Sequence, residues 1–176
     1  MFTKQEIQIA NATCRSSGAS VFNKDGEIRA IVPKYVFKCI NKEHSILDFG
    51  AGKDANHTKW LNANGFNVTA WEFGDNFVEG VHDKNALDKQ YKVIMASNVL
   101  NVCSSLDMLI KTLTQISSCL LEDGIFVCNY PASPRKLVIN ANDVATIIAG
   151  IFKGYNIEKV GGSGSAPLWI VYKKEV

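Results

Sequence analysis

The chain has 176 residues, a net charge of +2 and a hydrophobic share of 47%. This length suits one domain with a proper hydrophobic core, and the composition excludes an intrinsically disordered protein. The small net charge leaves a nucleic-acid partner possible without supporting one, and the sequence identifies no oligomeric state. We therefore expect one globular domain over residues 1–176.

The sequence contains no apolar stretch close to the roughly 20 residues that cross a bilayer. Residues 1–18 also lack the apolar centre of a signal peptide, so we expect a soluble, cytoplasmic protein without a membrane partner. The scattered histidines predict no metal site. An odd number of cysteines without a CxxC pair favours free thiols, and these cysteines are Cys14, Cys39, Cys103, Cys119 and Cys128.

Strands and helices alternate along most of the chain. A polar opening with a turn at FNKDGE (22–27) leads to a helix predicted at 33–42, where Pro33 suits the first turn. Further helices are predicted at 55–64, which Gly65 ends, at 104–120, which Ser104 or Ser105 caps, and at 140–154. Strands are predicted at 45–49, 67–73, 91–100 and, after a turn at EDG (122–124), 125–130, with a closing antiparallel hairpin at 155–162 and 167–174. This alternation predicts an α/β domain with a mainly parallel sheet and helices on both faces.

Polar and glycine residues gather where the predicted strands end. They are Asp48-Phe49-Gly50-Ala51-Gly52 at the first strand, Glu72 at the second, Ser97-Asn98 at the third and Asn129-Tyr130 at the fourth. Ligands of such sheets bind outside the carboxyl ends of the strands. Glycines let a ligand approach the backbone closely, and the Glu72 carboxylate can accept hydrogen bonds from vicinal ribose hydroxyls. The pattern predicts a site for a nucleoside-containing cofactor.

The turn GAGKDA (50–55) is poorly suited to the pyrophosphate of NAD. Asp54 would repel a phosphate, and Ala55 stands where a dinucleotide site would favour glycine. A cofactor that carries a cationic amine would tolerate Asp54. The loop therefore favours S-adenosylmethionine over NAD.

Over about residues 34–175 the chain resembles the class I, Rossmann-like S-adenosylmethionine-dependent methyltransferases. ILDFGAGKDA (46–55) resembles their first motif, an acid-x-Gly-x-Gly loop, and VTAWEF (68–73) resembles the second, whose acid holds the ribose. YKVIMASNVLNV (91–102) is similar to the fourth motif, and LLEDGIFVCNYP (120–131) is similar to the turn into the fifth strand. The order and spacing of these motifs carry the resemblance.

The resemblance implies a doubly wound sheet with an antiparallel C-terminal strand. It also implies an enzyme (EC 2.1.1.-) that transfers a methyl group from S-adenosylmethionine to an unidentified small or macromolecular acceptor. Asn98, Asn101 and Tyr130 lie at predicted strand ends and are the candidate catalytic residues that would orient the acceptor. The candidate cofactor-binding residues are Asp48, Phe49, Gly50, Ala51, Gly52, Glu72, Phe73, Asp83, Asn85, Ala86, Ser97 and Asn98.

The chain departs from the family pattern in its middle. Residues 74–90 alone fill the space of a helix and a full third strand, so we expect that strand to be short or missing, with HDKNAL (82–87) contacting the adenine. The third glycine of the first motif is absent, and so is the Asp/Asn-Pro-Pro-Tyr/Phe signature of amino-methylating DNA enzymes. Residues 1–33, which include Arg15, Ser16, Ser17 and Arg29, could form a lid over a core at 34–176.

Alternatives remain open for the function and for single residues. The chain could degrade or sequester S-adenosylmethionine or serve as an accessory subunit, and it could methylate nucleic acid. Asn98 and Asn101 could simply cap the helix that starts near Ser104. Asp83 could be an ordinary turn residue, and Tyr130 could only pack at a strand end.

Overall fold

The computed structural model describes residues 2–15, 21–131, 138–161 and 168–173, and its central feature is a six-stranded mixed sheet. The strands are β1 (Ser45–Phe49), β2 (Asn67–Trp71), β3 (Tyr91–Ala96), β4 (Leu120–Asn129), β5 (Asn156–Val160) and β6 (Leu168–Tyr172). The helices are α1 (Lys4–Arg15), α2 (Ile31–Cys39), α3 (Asn56–Ala63), α4 (Leu106–Cys119) and α5 (Ala141–Ile151).

The strand order is β2-β1-β3-β4-β6-β5. β2, β1, β3 and β4 pair in parallel, whereas β6 pairs antiparallel with both β4 and β5. The predicted Rossmann-like sheet with an antiparallel C-terminal strand is thus confirmed. The two strands of the closing hairpin pair as expected, and β6 inserts between β4 and β5.

Both faces of the sheet are covered, because successive strand residues enter two separate cores. In β3, for example, Val93 and Met95 pack with α2 and α3, whereas Ile94 and Ala96 pack with α4 and α5. A parallel sheet buried on both faces needs continuous apolar strands, which explains the uninterrupted run at 91–96.

Local sequence signals explain where several helices begin and end. The Ser105 side chain accepts from Met108 N–H and caps α4, and Gly65, with a φ of 88°, follows the end of α3. The opening of the chain differs from the prediction, because residues 4–15 form a helix. Thr3 and Glu6 exchange side-chain-to-backbone hydrogen bonds in a capping box that starts α1.

The segment between β2 and β3 contains no strand, so the expected loss of the third strand is confirmed for these described residues. Two short 3₁₀ turns, Gly74–Asn76 and Ala86–Asp88, fill the gap instead. The predicted turn at 122–124 is a bulge within β4, because β4 advances from Leu120 to Ile125 while β3 advances only from Tyr91 to Val93.

Candidate functional site

The parallel strands deliver the predicted site residues to one edge of the sheet. Phe49 pairs with Trp71 and Ala96 pairs with Cys128, so the segments that follow β1, β2, β3 and β4 begin at neighbouring positions. Polar groups that are distant in sequence therefore meet at the carboxyl edge, which is where ligands of such folds bind.

The glycine loop after β1 turns back onto β2. The backbone N–H groups of Gly50 and Ala51 both donate to the carbonyl oxygen of Trp71 at 3.0 Å. Gly50 has a φ of 75°, and a Cβ at this position would stand 2.7 Å from a methyl carbon of Val99. Gly50 is therefore required for both its backbone angle and its close contact with the segment after β3.

Glu72 holds the same loop from the end of β2. Its Oε2 accepts from Gly52 N–H at 2.7 Å and its Oε1 accepts from Phe73 N–H at 2.9 Å. Each carboxylate oxygen has a second lone pair, so two further donors, such as vicinal hydroxyls, can still bind. The arrangement fixes the carboxylate, which is only 6% exposed, beside the glycine loop.

Two buried carboxyl groups give this part of the site its electrostatic character. Burial raises the pKa of Asp48 to about 7, against a hydrogen bond from Thr58 Oγ1 at 2.8 Å that lowers it, and the Glu72 charge raises it further. Burial also raises the pKa of Glu72, although the N–H groups of Phe73 and Gly52 favour the charged form. A cation bound here would relieve the cost of both charges.

His82, the first residue of the predicted adenine motif HDKNAL (82–87), also supports the glycine loop. Its Nδ1 accepts from Val78 N–H at 2.9 Å, so in the neutral ring Nε2 carries the proton and donates to the Gly52 carbonyl at 2.9 Å. The imidazole is 6% exposed. After the role that we propose for them below, we name Asp48, residues 50–52, Glu72 and His82 the cofactor half of the site.

The residues predicted to contact the adenine are spread over different environments. Asp83 donates its N–H to the carbonyl of Ala70 at the open edge of β2, and Lys89 binds its carboxylate at 2.6 Å and lowers its pKa. Asn85 is exposed, whereas Ala86 is fully buried. Phe49 is fully buried as well, against the ring of Trp71, so its side chain belongs to the core.

An amide pair joins the ends of β3 and β4. Asn98, with a φ of 58°, donates its N–H to Asn129 Oδ1 at 2.7 Å, and Asn129 Nδ2 donates to Asn98 Oδ1 at 2.8 Å. Asn98 is exposed and Asn129 is 5% exposed. The side chain of Tyr130 is fully buried, and its hydroxyl donates to the carbonyl of Ile139.

The segment after β3 also contains polar atoms without a partner. Ser97 Oγ and Asn101 Oδ1 are buried, and neither has a hydrogen bond. Because Ser105 caps α4, the alternative of Asn98 and Asn101 as caps of this helix gains no support from its described N-terminus. After the role that we propose for them below, we name Ser97, Asn98, Asn101 and the part of α1 that packs on residues 100–102 the acceptor half of the site.

The N-terminal helix covers this edge of the sheet. α1 packs against both the 3₁₀ turn after β2 and the 3₁₀ turn at 100–102, and the Phe2 ring contacts the ring of Phe73 at 5.5 Å. The structure thus brings part of the predicted lid to the site. Arg29 is exposed, and Ser16, Ser17 and the side chain of Arg15 lie outside the described residues.

Sequence reasoning missed several residues of this site. Thr58 and the contacts of His82 and Asn129 depend on segments that are distant in the sequence, which no local pattern predicts. Asn11 lies in α1, a segment for which the sequence predicts a polar opening and no helix. The TKQE capping box at 3–6 was the local signal that could have revealed that helix.

The comparisons with known proteins agree with this geometry. The sequence model of a family described as "Methyltransferase domain" matches residues 22–148, so the chain belongs to that family. It is an S-adenosylmethionine-dependent methyltransferase of the class I fold. A search of curated proteins found no significant match.

Many solved structures share the fold. A TehB-like SAM-dependent methyltransferase from Corynebacterium glutamicum has a TM-score of 0.65 at 16% identity, covering 93% of this chain and 94% of that chain. The glycopeptide N-methyltransferase MtfA, complexed with S-adenosylhomocysteine, has a TM-score of 0.61 at 12% identity, covering 93% and 97%. The 1,6-didemethyltoxoflavin-N1-methyltransferase of Burkholderia thailandensis, with S-adenosylhomocysteine bound, has a TM-score of 0.58 at 14% identity, covering 82% and 77%.

No helix among the described residues is both long and apolar enough to pass through a bilayer.

Proposed function

We propose that the cofactor half of the site binds S-adenosylmethionine and that the acceptor half aligns a methyl acceptor with it. The observation that carries this assignment is the Glu72 carboxylate bonded to the glycine loop, beside unpaired polar atoms at the end of β3. Glu72 would accept from the two ribose hydroxyls, and residues 50–52 would admit the cofactor close to the backbone. Ser97 would contribute its free hydroxyl to the cofactor or to the acceptor.

The charges of the cofactor half fit this cofactor better than a dinucleotide. Asp48 and Glu72 are both buried, and the Glu72 charge raises the pKa of Asp48, so an added cation would stabilise the pair. Asp54 lies exposed in the same loop and adds negative charge. S-adenosylmethionine supplies a cationic sulfonium with an activated methyl group, whereas a pyrophosphate would meet like charge.

Methyl transfer places modest demands on the protein. The acceptor's lone pair forms a bond to the methyl carbon while the carbon–sulfur bond breaks, and the electron pair of that bond remains on sulfur. Alignment of the two reactants accounts for much of the rate, so the chain's task is to orient the acceptor. Asn98, held by Asn129, is suited to this task. A proton leaves to water or to a base only where the acceptor is protonated at the working pH.

The other predicted site residues have subordinate roles in this proposal. Phe73 would line the cofactor site with Phe2, while Asp83 and Asn85 would lie near the adenine with Ala86. Tyr130 would position the end of β4 through Ile139, because its hydroxyl is already engaged there. Its role as an acceptor-orienting residue would require that bond to open.

The segment preceding the core is proposed to act as a lid. α1 would cover the acceptor half, with residues 34–176 forming the methyltransferase core of a single domain. We also propose a cytoplasmic location, which the unbridged thiols Cys39, Cys119 and Cys128 favour.

Calorimetry with the purified protein tests the cofactor assignment. We expect binding of S-adenosylmethionine and S-adenosylhomocysteine and none of NAD. Tight binding of NAD without a response to S-adenosylhomocysteine would refute it. Incubation with S-adenosylmethionine and a cell extract, followed by mass spectrometry, would then show whether the mass of an acceptor increases by about 14 Da. This is the increase expected when a methyl group replaces a hydrogen.

A further inference from the structure

Unpaired buried polar atoms occur on α1 and on the segment after β3 that α1 contacts. Among the described residues, four buried side-chain atoms have no hydrogen-bond partner, and these are Asn11 Nδ2, Ser97 Oγ, Asn101 Oδ1 and Gln115 Oε1. Three of them belong to α1 or to the segment that follows β3. Folded proteins leave few such atoms unpaired because each costs stability. Three such atoms on two contacting segments are therefore candidates to bind a polar ligand.

Asn11 is held in place by one half of its amide only. Its Oδ1 accepts from Asn76 Nδ2 at 3.2 Å, and the residue is 4% exposed. Its Nδ2 lies 2.8 Å from where a Cβ on Gly74 would stand, so Gly74 leaves space for the amide. The side chain is therefore ordered by the protein, while its donor is buried without a partner.

Asn101 lies on the other turn that α1 contacts. It belongs to the 3₁₀ turn Leu100–Val102 after β3, and α1 packs on this turn as well as on the turn Gly74–Asn76. Asn11 thus comes from above the sheet edge, and Asn101 and Ser97 come from the strand end beneath it. The free atoms offer an amide donor, an amide acceptor and a hydroxyl.

We infer that Asn11 and Asn101, together with Ser97, form a subsite that recognises a small, uncharged polar group of the methyl acceptor, such as a carboxamide. This inference rests on the proposed methyltransferase function. The three side chains are neutral, which favours an uncharged ligand group. Rotation of the Asn101 amide, which exchanges its oxygen and nitrogen, would leave the subsite neutral. Lys111, which reaches α1 from α4, is already paired with Glu6 and Asp107.

The covering helix also limits the size of the acceptor. Ala10 is fully buried and Asn11 nearly so, which places this face of α1 against the protein. An acceptor that contacts Asn11 must fit beneath the helix. This favours a small molecule over a nucleic acid or a protein chain.

The first step of the test is calorimetry of the wild-type protein with S-adenosylhomocysteine. Absence of binding would refute the proposed function and this inference together. With binding established, fragments are titrated against the complex saturated with S-adenosylhomocysteine. The fragments are small amides, each matched with its carboxylate, for example nicotinamide with nicotinate and 4-hydroxybenzamide with 4-hydroxybenzoate. At least one amide is expected to bind about tenfold or more tightly than its acid, the effect of one well-placed hydrogen bond.

Three variants separate recognition from folding. Asn11→Leu removes the free donor and the bond to Asn76, whereas Asn76→Leu removes that bond but keeps the donor. Gln8→Ala changes an exposed residue of the same helix. We expect Asn11→Leu to lower the affinity for the amide about tenfold or more. Asn76→Leu is expected to change it less than about threefold, and Gln8→Ala is expected to leave it unchanged.

Melting temperatures provide the second readout. Asn76→Leu should lower the melting temperature at least as far as Asn11→Leu does, because only Asn11→Leu also removes an unpaired buried donor. If no amide binds, if acids bind as well as amides, or if Asn11→Leu and Asn76→Leu lose the same affinity, the subsite is refuted. In each of those cases binding of S-adenosylhomocysteine would leave the proposed function standing.

Discussion

The cofactor half and the acceptor half of the site lie at the same edge of the sheet, yet they satisfy their polar groups to different extents. In the cofactor half, the N–H and the carbonyl of Gly52 are both bonded, to Glu72 and to His82. In the acceptor half, Asn98 is bonded to Asn129, but Ser97 Oγ and Asn101 Oδ1 have no partner. Preformed hydrogen bonds reduce the free-energy cost of ordering a loop when a ligand binds. Unpaired polar groups can instead form new hydrogen bonds with a ligand.

The difference indicates where the protein is rigid and where it is selective. A cofactor of constant structure is bound well by a prearranged loop. Buried polar groups can distinguish one acceptor from another. A ligand that cannot form hydrogen bonds with them leaves them unpaired, and this lowers its affinity. The predictions below test whether the two halves can be perturbed separately.

Glu72→Ala should have the largest effect and should break the cofactor half. The variant would lose the two proposed hydrogen bonds from the ribose hydroxyls to the Glu72 carboxylate, each worth about 1.5–3 kcal/mol. The affinity for S-adenosylhomocysteine should therefore fall by roughly 10²–10⁴-fold. Calorimetry measures the affinity, and circular dichroism checks that the chain remains folded. A loss within about threefold would show that Glu72 does not hold the ribose.

Gly50→Ala and Gly52→Ala form a matched pair that tests the close approach of the loop to Val99. The φ angles of the two glycines are 75° and 73°, so an alanine at either position costs about 1–2 kcal/mol for the left-handed backbone. At Gly50 the new Cβ would also lie 2.7 Å from Val99, whereas at Gly52 the space is open. Gly50→Ala should therefore cost about 1–3 kcal/mol more in unfolding free energy. Equal losses in chemical denaturation would contradict this contact.

Some parts of the fold and of the site can be predicted from the sequence, and others cannot. β1 was predicted with its observed bounds, because SILDF is a short apolar run followed directly by glycines. The bends in β4 were harder to predict, because the bulge depends on register with β3. The glycine loop and Glu72 were recognisable because backbone chemistry there demands particular residue types.

The partners of these residues could not be predicted in the same way. His82 acts on Gly52 across thirty positions of the chain, and Asn98 meets Asn129 across a strand pair. Side-chain contacts of this kind follow from the folded geometry and leave no periodic trace in the sequence. The roles of the predicted site residues in binding and catalysis remain predictions that the variants here can test.

The pH dependence of stability should reveal the strained carboxyl of Asp48 in the cofactor half. Its pKa is about 7 in the folded protein and about 3.9 in the unfolded chain. Because the pKa of Asp48 is higher in the folded protein than in the unfolded chain, protonation of this carboxyl stabilises the folded state. This stabilisation is complete below pH ~4 and is lost as the pH rises through ~7. Between pH 5 and 8 the unfolding free energy of the ligand-free protein should fall by about 2–3 kcal/mol from this group.

Asp48→Asn is the control for that pH dependence. Its amide oxygen can still accept from Thr58, but it does not titrate. The variant should lose most of the decline between pH 5 and 8, and the raised pKa of Glu72 would leave a smaller decline of the same sign. Denaturant titrations at several pH values measure both curves. Parallel curves would show that Asp48 does not titrate in this range.

Asn98→Ala tests the acceptor half. If Asn98 orients the acceptor, turnover should fall about 10- to 100-fold, a loss of roughly 1.4–2.7 kcal/mol, while the affinity for S-adenosylhomocysteine stays nearly intact. Single-turnover kinetics with an identified acceptor, measured beside the melting temperature, decide the matter. A lower melting temperature with an unchanged rate per folded molecule would make the Asn98–Asn129 pair purely structural.

The smallest expected effect concerns His82, and it separates the two hydrogen bonds of one imidazole. His82→Gln places an amide donor near the position of Nε2 and can keep the hydrogen bond to the Gly52 carbonyl. His82→Asn places an amide oxygen near the position of Nδ1 and can keep the hydrogen bond from Val78 N–H. If the glycine loop needs His82 to hold it, His82→Asn should weaken binding of S-adenosylhomocysteine by about three- to tenfold, the worth of one neutral hydrogen bond, and His82→Gln should weaken it less. Calorimetry compares the three proteins. The opposite order, with His82→Asn binding as the wild type does, would mean that Glu72 and Trp71 hold the loop without help from this side chain.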